Sequence, residues 1–117
     1  MKKLFTPFTL GILVATLVAA AASPAIAQIF EVDRVEAHST DTWRVWASSG
    51  SSRVVVDGDG DTDLDCYVYD RSGRLLGMDE DYTDYCIVNV FQPTSGDIRI
   101  EVRNLGSISN VYSLRVR

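Results

Sequence analysis

Ile98-Arg99-Ile100-Glu101-Val102-Arg103 alternates apolar and charged side chains without a break. A period of two is the pattern of a β-strand with one buried face and one wet face. Tyr112-Ser113-Leu114-Arg115-Val116-Arg117 repeats it at the end of the chain. Working back from this pair, residues 42–47 and 53–56 read as further strands, and residues 29–35 supply another. Leu64, Cys66 and Val68 alternate with Asp65, Tyr67 and Tyr69, while Cys86, Val88 and Val90 alternate with Tyr85, Ile87 and Asn89. Turn signals fall between the runs, at 48–52 around Gly50, at 70–73, at 92–96 and at 104–110. No segment after the first 27 residues has a helical period. Short antiparallel strands at this spacing predict an all-β, antiparallel β-sandwich, with a small barrel as the alternative.

The first 27 residues are expected to be a cleaved secretory signal peptide. Lys2 and Lys3 precede an apolar run from Leu10 to Ala22, and Ala25-Ile26-Ala27 supplies a small-residue cleavage site. The run is short for a membrane span, which needs about 20 residues. The expected product, residues 28–117, is one secreted or periplasmic domain with no membrane attachment. It carries nine arginines and sixteen acids, so its net charge is −7. That balance argues against nucleic acid or an anionic membrane as a partner. The acidity is local: residues 57–84 hold ten acids and only Arg71 and Arg74. A secreted chain with two cysteines, each in the core-facing set of its strand, favours a Cys66–Cys86 disulfide.

The acidic region begins with five aspartates at alternate positions from Asp57 to Asp65. If residues 70–73 turn a hairpin, the strand at 64–69 runs back alongside 74–79. The register that puts Tyr69 near Leu75 sets Val68 opposite Leu76 and Cys66 opposite Met78. It also sets Asp65 opposite Asp79 and Asp63 opposite Asp81. Like charges directly opposite destabilise a sheet, so a hard cation with oxygen ligands is expected between the two ends. The expected Ca²⁺ ligands are Asp61, Asp63, Asp65, Asp79, Asp81 and Asp84, with Asp57 and Asp59 less firmly placed. The spacing is not that of an EF-hand. Counting from Asp57 puts Thr62 where that loop needs glycine and Val68 where it needs a bidentate glutamate.

Asp61-Thr62-Asp63-Leu64-Asp65-Cys66-Tyr67-Val68-Tyr69-Asp70, followed by Ser72-Gly73, by Pro93-Thr94-Ser95-Gly96 and by the closing strand from Asn110, resembles the bacterial pre-peptidase C-terminal domain family. The resemblance runs from about Thr42 to the end. It implies a jelly-roll-like β-sandwich of a kind found mostly beside secreted peptidases, where it assists secretion or binds substrate. Some members bind Ca²⁺, and Asp61, Asp63 and Asp65 match the family's acidic strand. Because no peptidase precedes the domain here, a stand-alone secreted form is expected.

Catalysis is not expected. The sole histidine, His38, sits in a turn with no nucleophile motif, and too few nitrogen and sulfur ligands remain for zinc. The expected function is a Ca²⁺-binding module that recognises an extracellular protein or polysaccharide, with Trp46, Tyr67 and Tyr69 as contacts. The alternative is a purely structural envelope protein in which Ca²⁺ only stabilises the fold. Tyr67 and Tyr69 also fit ordinary cross-strand pairing.

Overall fold

The computed structural model describes residues 3–5 and 28–117. The expected leader and its cleavage site therefore lie outside the described residues, apart from a three-residue strand. The strands are β1 (Lys3–Phe5), β2 (Ile29–Val35), β3 (Thr40–Ala47), β4 (Gly50–Asp57), β5 (Leu64–Tyr69), β6 (Leu75–Asp79), β7 (Tyr85–Gln92), β8 (Gly96–Asn104) and β9 (Asn110–Val116). No helix occurs among the described residues.

From β2 onward the chain forms a sandwich of two antiparallel four-stranded sheets, ordered β3-β8-β5-β6 and β2-β9-β4-β7. β1 adds a short parallel strand beside β3. This is the strand order of a jelly roll, and it fixes the choice between sandwich and barrel. Nearly every connection carries the chain from one sheet to the other. Among the described strands, only β5 and β6 are both consecutive in sequence and paired.

The period-two pattern becomes the core directly. Along β8, Ile98, Ile100 and Val102 are buried, and along β9 so are Tyr112, Leu114 and Val116. They share one core with Trp43, Val45 and Ala47 of β3, Val54 and Val56 of β4 and Val88 and Val90 of β7. Each such side chain contributes roughly 1.5–3 kcal/mol by leaving water. Cys66 of β5 and Cys86 of β7 are bonded, with Cα atoms 6.2 Å apart, and so tie one sheet to the other.

A polar network crosses this core. Trp43 Nε1 donates to Tyr112 Oη at 2.8 Å, and Tyr112 Oη donates to Asp41 Oδ2 at 2.7 Å. Burial, reinforced by the hydrogen bond to Asp41, pushes the Tyr112 phenol well above its usual pKa. Asp41 is buried in β3.

Two expectations need correction. Gly50, Ser51 and Ser52 are not part of a turn; they begin β4 and pair with Gln92, Phe91 and Val90. Gly50, at φ 99°, absorbs the reversal that the glycine signalled. The β5–β6 register also differs by one residue. Tyr69 opposes Leu75 as expected, but Val68 opposes Gly77, Tyr67 opposes Met78 and Cys66 opposes Asp79. Leu76 is the extra residue of a β-bulge, partly buried against the core. A Cβ on Gly77 would lie 2.8 Å from Val88 Cγ1, so the glycine lets β6 close against β7 of the other sheet.

Candidate metal centre at the acidic end

Three loops meet at one end of the sandwich: 58–63 after β4, 80–84 after β6 and 105–109 after β8. Main-chain bonds fasten them together. Gly58 N donates to Asp84 O at 2.9 Å, Leu64 N to Thr83 O at 3.1 Å and Leu105 N to Asp63 O at 3.0 Å. The buried Asn110 completes the join. Its Nδ2 reaches Thr62 Oγ1 at 3.0 Å and Asp84 Oδ2 at 3.1 Å, and its Oδ1 accepts from Asp59 N at 3.1 Å. Gly58 is required where it stands, because a Cβ there would lie 2.3 Å from Asp84 Oδ2 and 2.7 Å from Asn110 Oδ1.

Several of the acids are already committed within this end. Asp59 accepts from Asp61 N at 3.1 Å and from Val111 N at 2.9 Å, so it pins the loop to β9. Asp84 Oδ2 also accepts from Gly60 N at 2.6 Å. Asp81 Oδ1 accepts from Thr83 N and Thr83 Oγ1 at 2.9 and 2.8 Å, and those bonds hold its pKa below the usual carboxylate value. Asp79 Oδ2 accepts from Ile87 N at 2.9 Å and so joins β6 to β7.

Asp63 and Asp65 differ. Asp63 Oδ1 and Asp65 Oδ1 are buried and receive no hydrogen bond. Burial raises the Asp63 pKa first, and the neighbouring charges of Asp81 and Asp84 raise it further. Burial also leads the upward shift at Asp65, reinforced by Asp63 and Glu80, partly offset by Arg103, and reinforced again by Asp79. Desolvation and like charge both penalise ionisation, so each carboxylate is best satisfied by a proton or a cation.

The structure thus brings Asp63 near Asp81 and Asp84, and Asp65 near Asp63, Glu80 and Asp79. The bulge changes the expected partners. With the register shifted by one, Asp79 falls opposite the core-facing Cys66, and Glu80 becomes the larger acidic influence on Asp65. Asp61 meets the network through its backbone N–H, which donates to Asp59. Among the described residues, no three carboxylate, imidazole or thiolate side chains converge into a ready-made metal cage. Oxygen ligands suit Ca²⁺, and the two unpartnered buried oxygens fit it, with Asp81 on the facing loop.

The expected aromatic contacts occupy the outer face of the β3-β8-β5-β6 sheet. Arg103 stacks over the Tyr67 ring at 4.0 Å and Arg99 over the Tyr69 ring at 4.3 Å. Glu101 links the two arginines, at 2.8 Å from Arg103 and 3.4 Å from Arg99. Tyr67 Oη donates to Glu80, which pushes the phenol up to about 12. One face of each tyrosine is therefore covered, whereas Trp46 is exposed. His38 is exposed in its turn, with φ 54°, and its N–H donates to Gly106 O at 3.1 Å.

Glu80, Thr83 and Asn110 were not singled out from the sequence. Glu80 was hidden by the bulge. Asn110 carried a usable signal, since it stands where the closing strand requires an inward residue.

No protein-family model matches the sequence, and no curated protein does either. Solved structures do. The pre-peptidase C-terminal domain of collagenase from Bacillus anthracis is similar at TM-score 0.60 and 12% identity, over 76% of this chain and 90% of that one. PliG of Aeromonas hydrophila, a periplasmic inhibitor of g-type lysozyme, is similar at TM-score 0.59 and 15% identity, over 99% of this chain and 97% of that one. PliG of Salmonella Typhimurium is similar at TM-score 0.52 and 12% identity, over 100% of this chain and 98% of that one. At such identities the likeness is one of fold.

Proposed function

We propose that the chain is a secreted or periplasmic, non-catalytic module that takes Ca²⁺ at its acidic end and binds an extracellular protein. Residues 1–27 are its signal peptide, cut after Ala27, and residues 28–117 are its single domain. The observation that carries the metal reading is the pair of buried, unpartnered oxygens Asp63 Oδ1 and Asp65 Oδ1 in a field of further carboxylates. Asp63, Asp65 and Asp81 would hold the ion, whose charge offsets the repulsion between the loops. Asp79 and Asp84 support the site through their bonds to Ile87, Gly60 and Asn110. Likeness to a periplasmic lysozyme inhibitor favours a protein partner. The covered faces of Tyr67 and Tyr69 weigh against sugar stacking.

Calorimetry of the secreted protein with CaCl₂, beside melting curves in CaCl₂ and in EDTA, tests the ion. At Ca²⁺ a hundredfold above Kd the folded state gains about 2.7 kcal/mol. Asp63→Asn and Asp81→Asn should each weaken binding. No heat and an unchanged melting point would remove the metal from the proposal. A direct assay against g-type lysozyme, with an array of extracellular proteins and glycans, tests the partner in both ionic conditions. Absence of any specific binding would leave the second reading, a structural envelope protein in which Ca²⁺ serves only the fold.

A further inference from the structure

The outer faces of the two sheets treat their charges differently. On the β3-β8-β5-β6 face, Arg99 and Arg103 share the carboxylate of Glu101 and lie over tyrosine rings. The β2-β9-β4-β7 face is arranged otherwise. Its registers align Phe30, Arg115, Val55 and Ile87 in one row across all four strands, and Val32, Ser113, Asp57 and Tyr85 in the next. Phe30 and Val32 are 55% and 59% exposed, and Phe91, further along β7, is 62% exposed.

The same face presents Arg53, Arg115 and Arg117, with Asp57 as the acid of its rows among the described residues. Arg115 lies over the Phe30 ring at 5.2 Å, and Arg53 donates to Asn89 Oδ1 at 3.0 Å. None of Arg53, Arg115 and Arg117 reaches a carboxylate among the described residues. Arg53, Arg117 and Phe91 also line an open trough of about 720 Å³ at one end of the face. A chain that is acidic overall therefore carries one basic, apolar face.

We infer that the outer face of the β2-β9-β4-β7 sheet is the docking surface for an acidic protein partner that carries apolar side chains among its carboxylates. This deepens the protein-binding reading above and rests on it. Aromatic and arginine side chains are the residues that dominate protein interfaces. The arginines match carboxylates with two-pronged hydrogen bonds, while Phe30, Val32 and Ile87 take the apolar groups. A second copy docked face to face would bring the arginines of both copies together, so self-association is disfavoured. A flat sheet face offers no protruding apolar loop to enter a lipid surface.

The probe is a hexapeptide, Glu-Phe-Glu-Glu-Phe-Glu, blocked at both ends and titrated into the isotope-labelled secreted protein while amide resonances are followed. Saturable shifts centred on Phe30, Val55, Ile87 and Arg115 are expected, weakened by salt and not reproduced when lysine replaces glutamate. Arg115→Glu and, separately, Phe30→Ser should each raise Kd at least about tenfold. Both positions are at the surface, and intact amide spectra verify that the variants fold. Arg44→Glu, on the opposite sheet, should change nothing. No saturable shift, shifts confined to β5 and β8, or unaltered binding by Arg115→Glu would overturn the assignment. Binding to phosphatidylglycerol vesicles in place of the peptide, or self-association in sedimentation, would also overturn it. Calcium heats and lysozyme binding, measured on the same samples, show whether the broader proposal survives a failure here.

Discussion

Gly58→Ala is the most incisive single change at the acidic end. The added Cβ would lie 2.3 Å from Asp84 Oδ2, 2.6 Å from Asp84 Cγ and 2.7 Å from Asn110 Oδ1. Carbon cannot occupy any of these positions, so the carboxylate and the amide must both move. Three hydrogen bonds depend on them: Gly60 N to Asp84, Asn110 Nδ2 to Asp84 and Asp59 N to Asn110. Two involve an ionised acceptor, worth about 1.5–3 kcal/mol each, and the third about 1 kcal/mol. Part of this is recovered because the loop is partly exposed and water replaces the lost donors. The expected net cost is roughly 2–3 kcal/mol. For a domain of this size each kcal/mol lowers Tm by about 4–8 °C, so a fall of about 10–20 °C is expected in calorimetry or circular dichroism. Gly60→Ala provides the contrast. Gly60 has φ 89° and open space around its would-be Cβ, so it should lose only the backbone term, about 1–2 kcal/mol. The reasoning also requires the Gly58→Ala penalty to shrink when Asp84 is first truncated to alanine. A Gly58→Ala protein melting within a degree or two of the parent would refute it.

Three other outcomes are expected. Replacing Cys66 and Cys86 by alanine opens a loop closed across 20 residues, and urea unfolding should show a loss of about 3 kcal/mol. Asp70 accepts from Ser72 Oγ, Arg74 N and Ser72 N, and these bonds hold its pKa near 2. Because the folded value lies below the unfolded one, the stabilisation is complete above about pH 4 and is lost as pH falls toward 2. Asp70→Asn should flatten that part of the stability profile. Tyr67, bonded to Glu80, should titrate near pH 12 by ultraviolet absorbance, and Glu80→Gln should return it toward 10; an unchanged titration would place Glu80 elsewhere.

The strands were legible because a two-sided sandwich imposes period two on any segment with one buried face. Leu64, Cys66 and Val68, like Cys86, Val88 and Val90, are buried as their alternation requires. The disulfide followed from the same parity. The register of β6 was not legible. Leu75 and Leu76 are chemically equivalent, so nothing local says which is the bulged residue. That choice is made by the contact between Gly77 and Val88 in the other sheet, which is non-local. The candidate site was read at the level of which loops meet, with Asp63 and Asp81 placed together. The division of labour among the acids was not visible, because it depends on which backbone amides each carboxylate reaches.

The lone β5–β6 hairpin bears on how the protein folds. Every other described ladder joins strands distant in sequence, and such topologies form in milliseconds to seconds because loop-closure entropy precedes the reward. A hairpin needs only microseconds and is the natural place to begin. Here, however, the open end of the hairpin, remote from its turn and the last part to close, carries Asp63, Asp65, Glu80 and Asp81. The segment with the shortest conformational search thus meets the strongest charge repulsion. A divalent cation or added salt should consequently shorten the refolding time in stopped-flow experiments, over and above any rise in melting temperature.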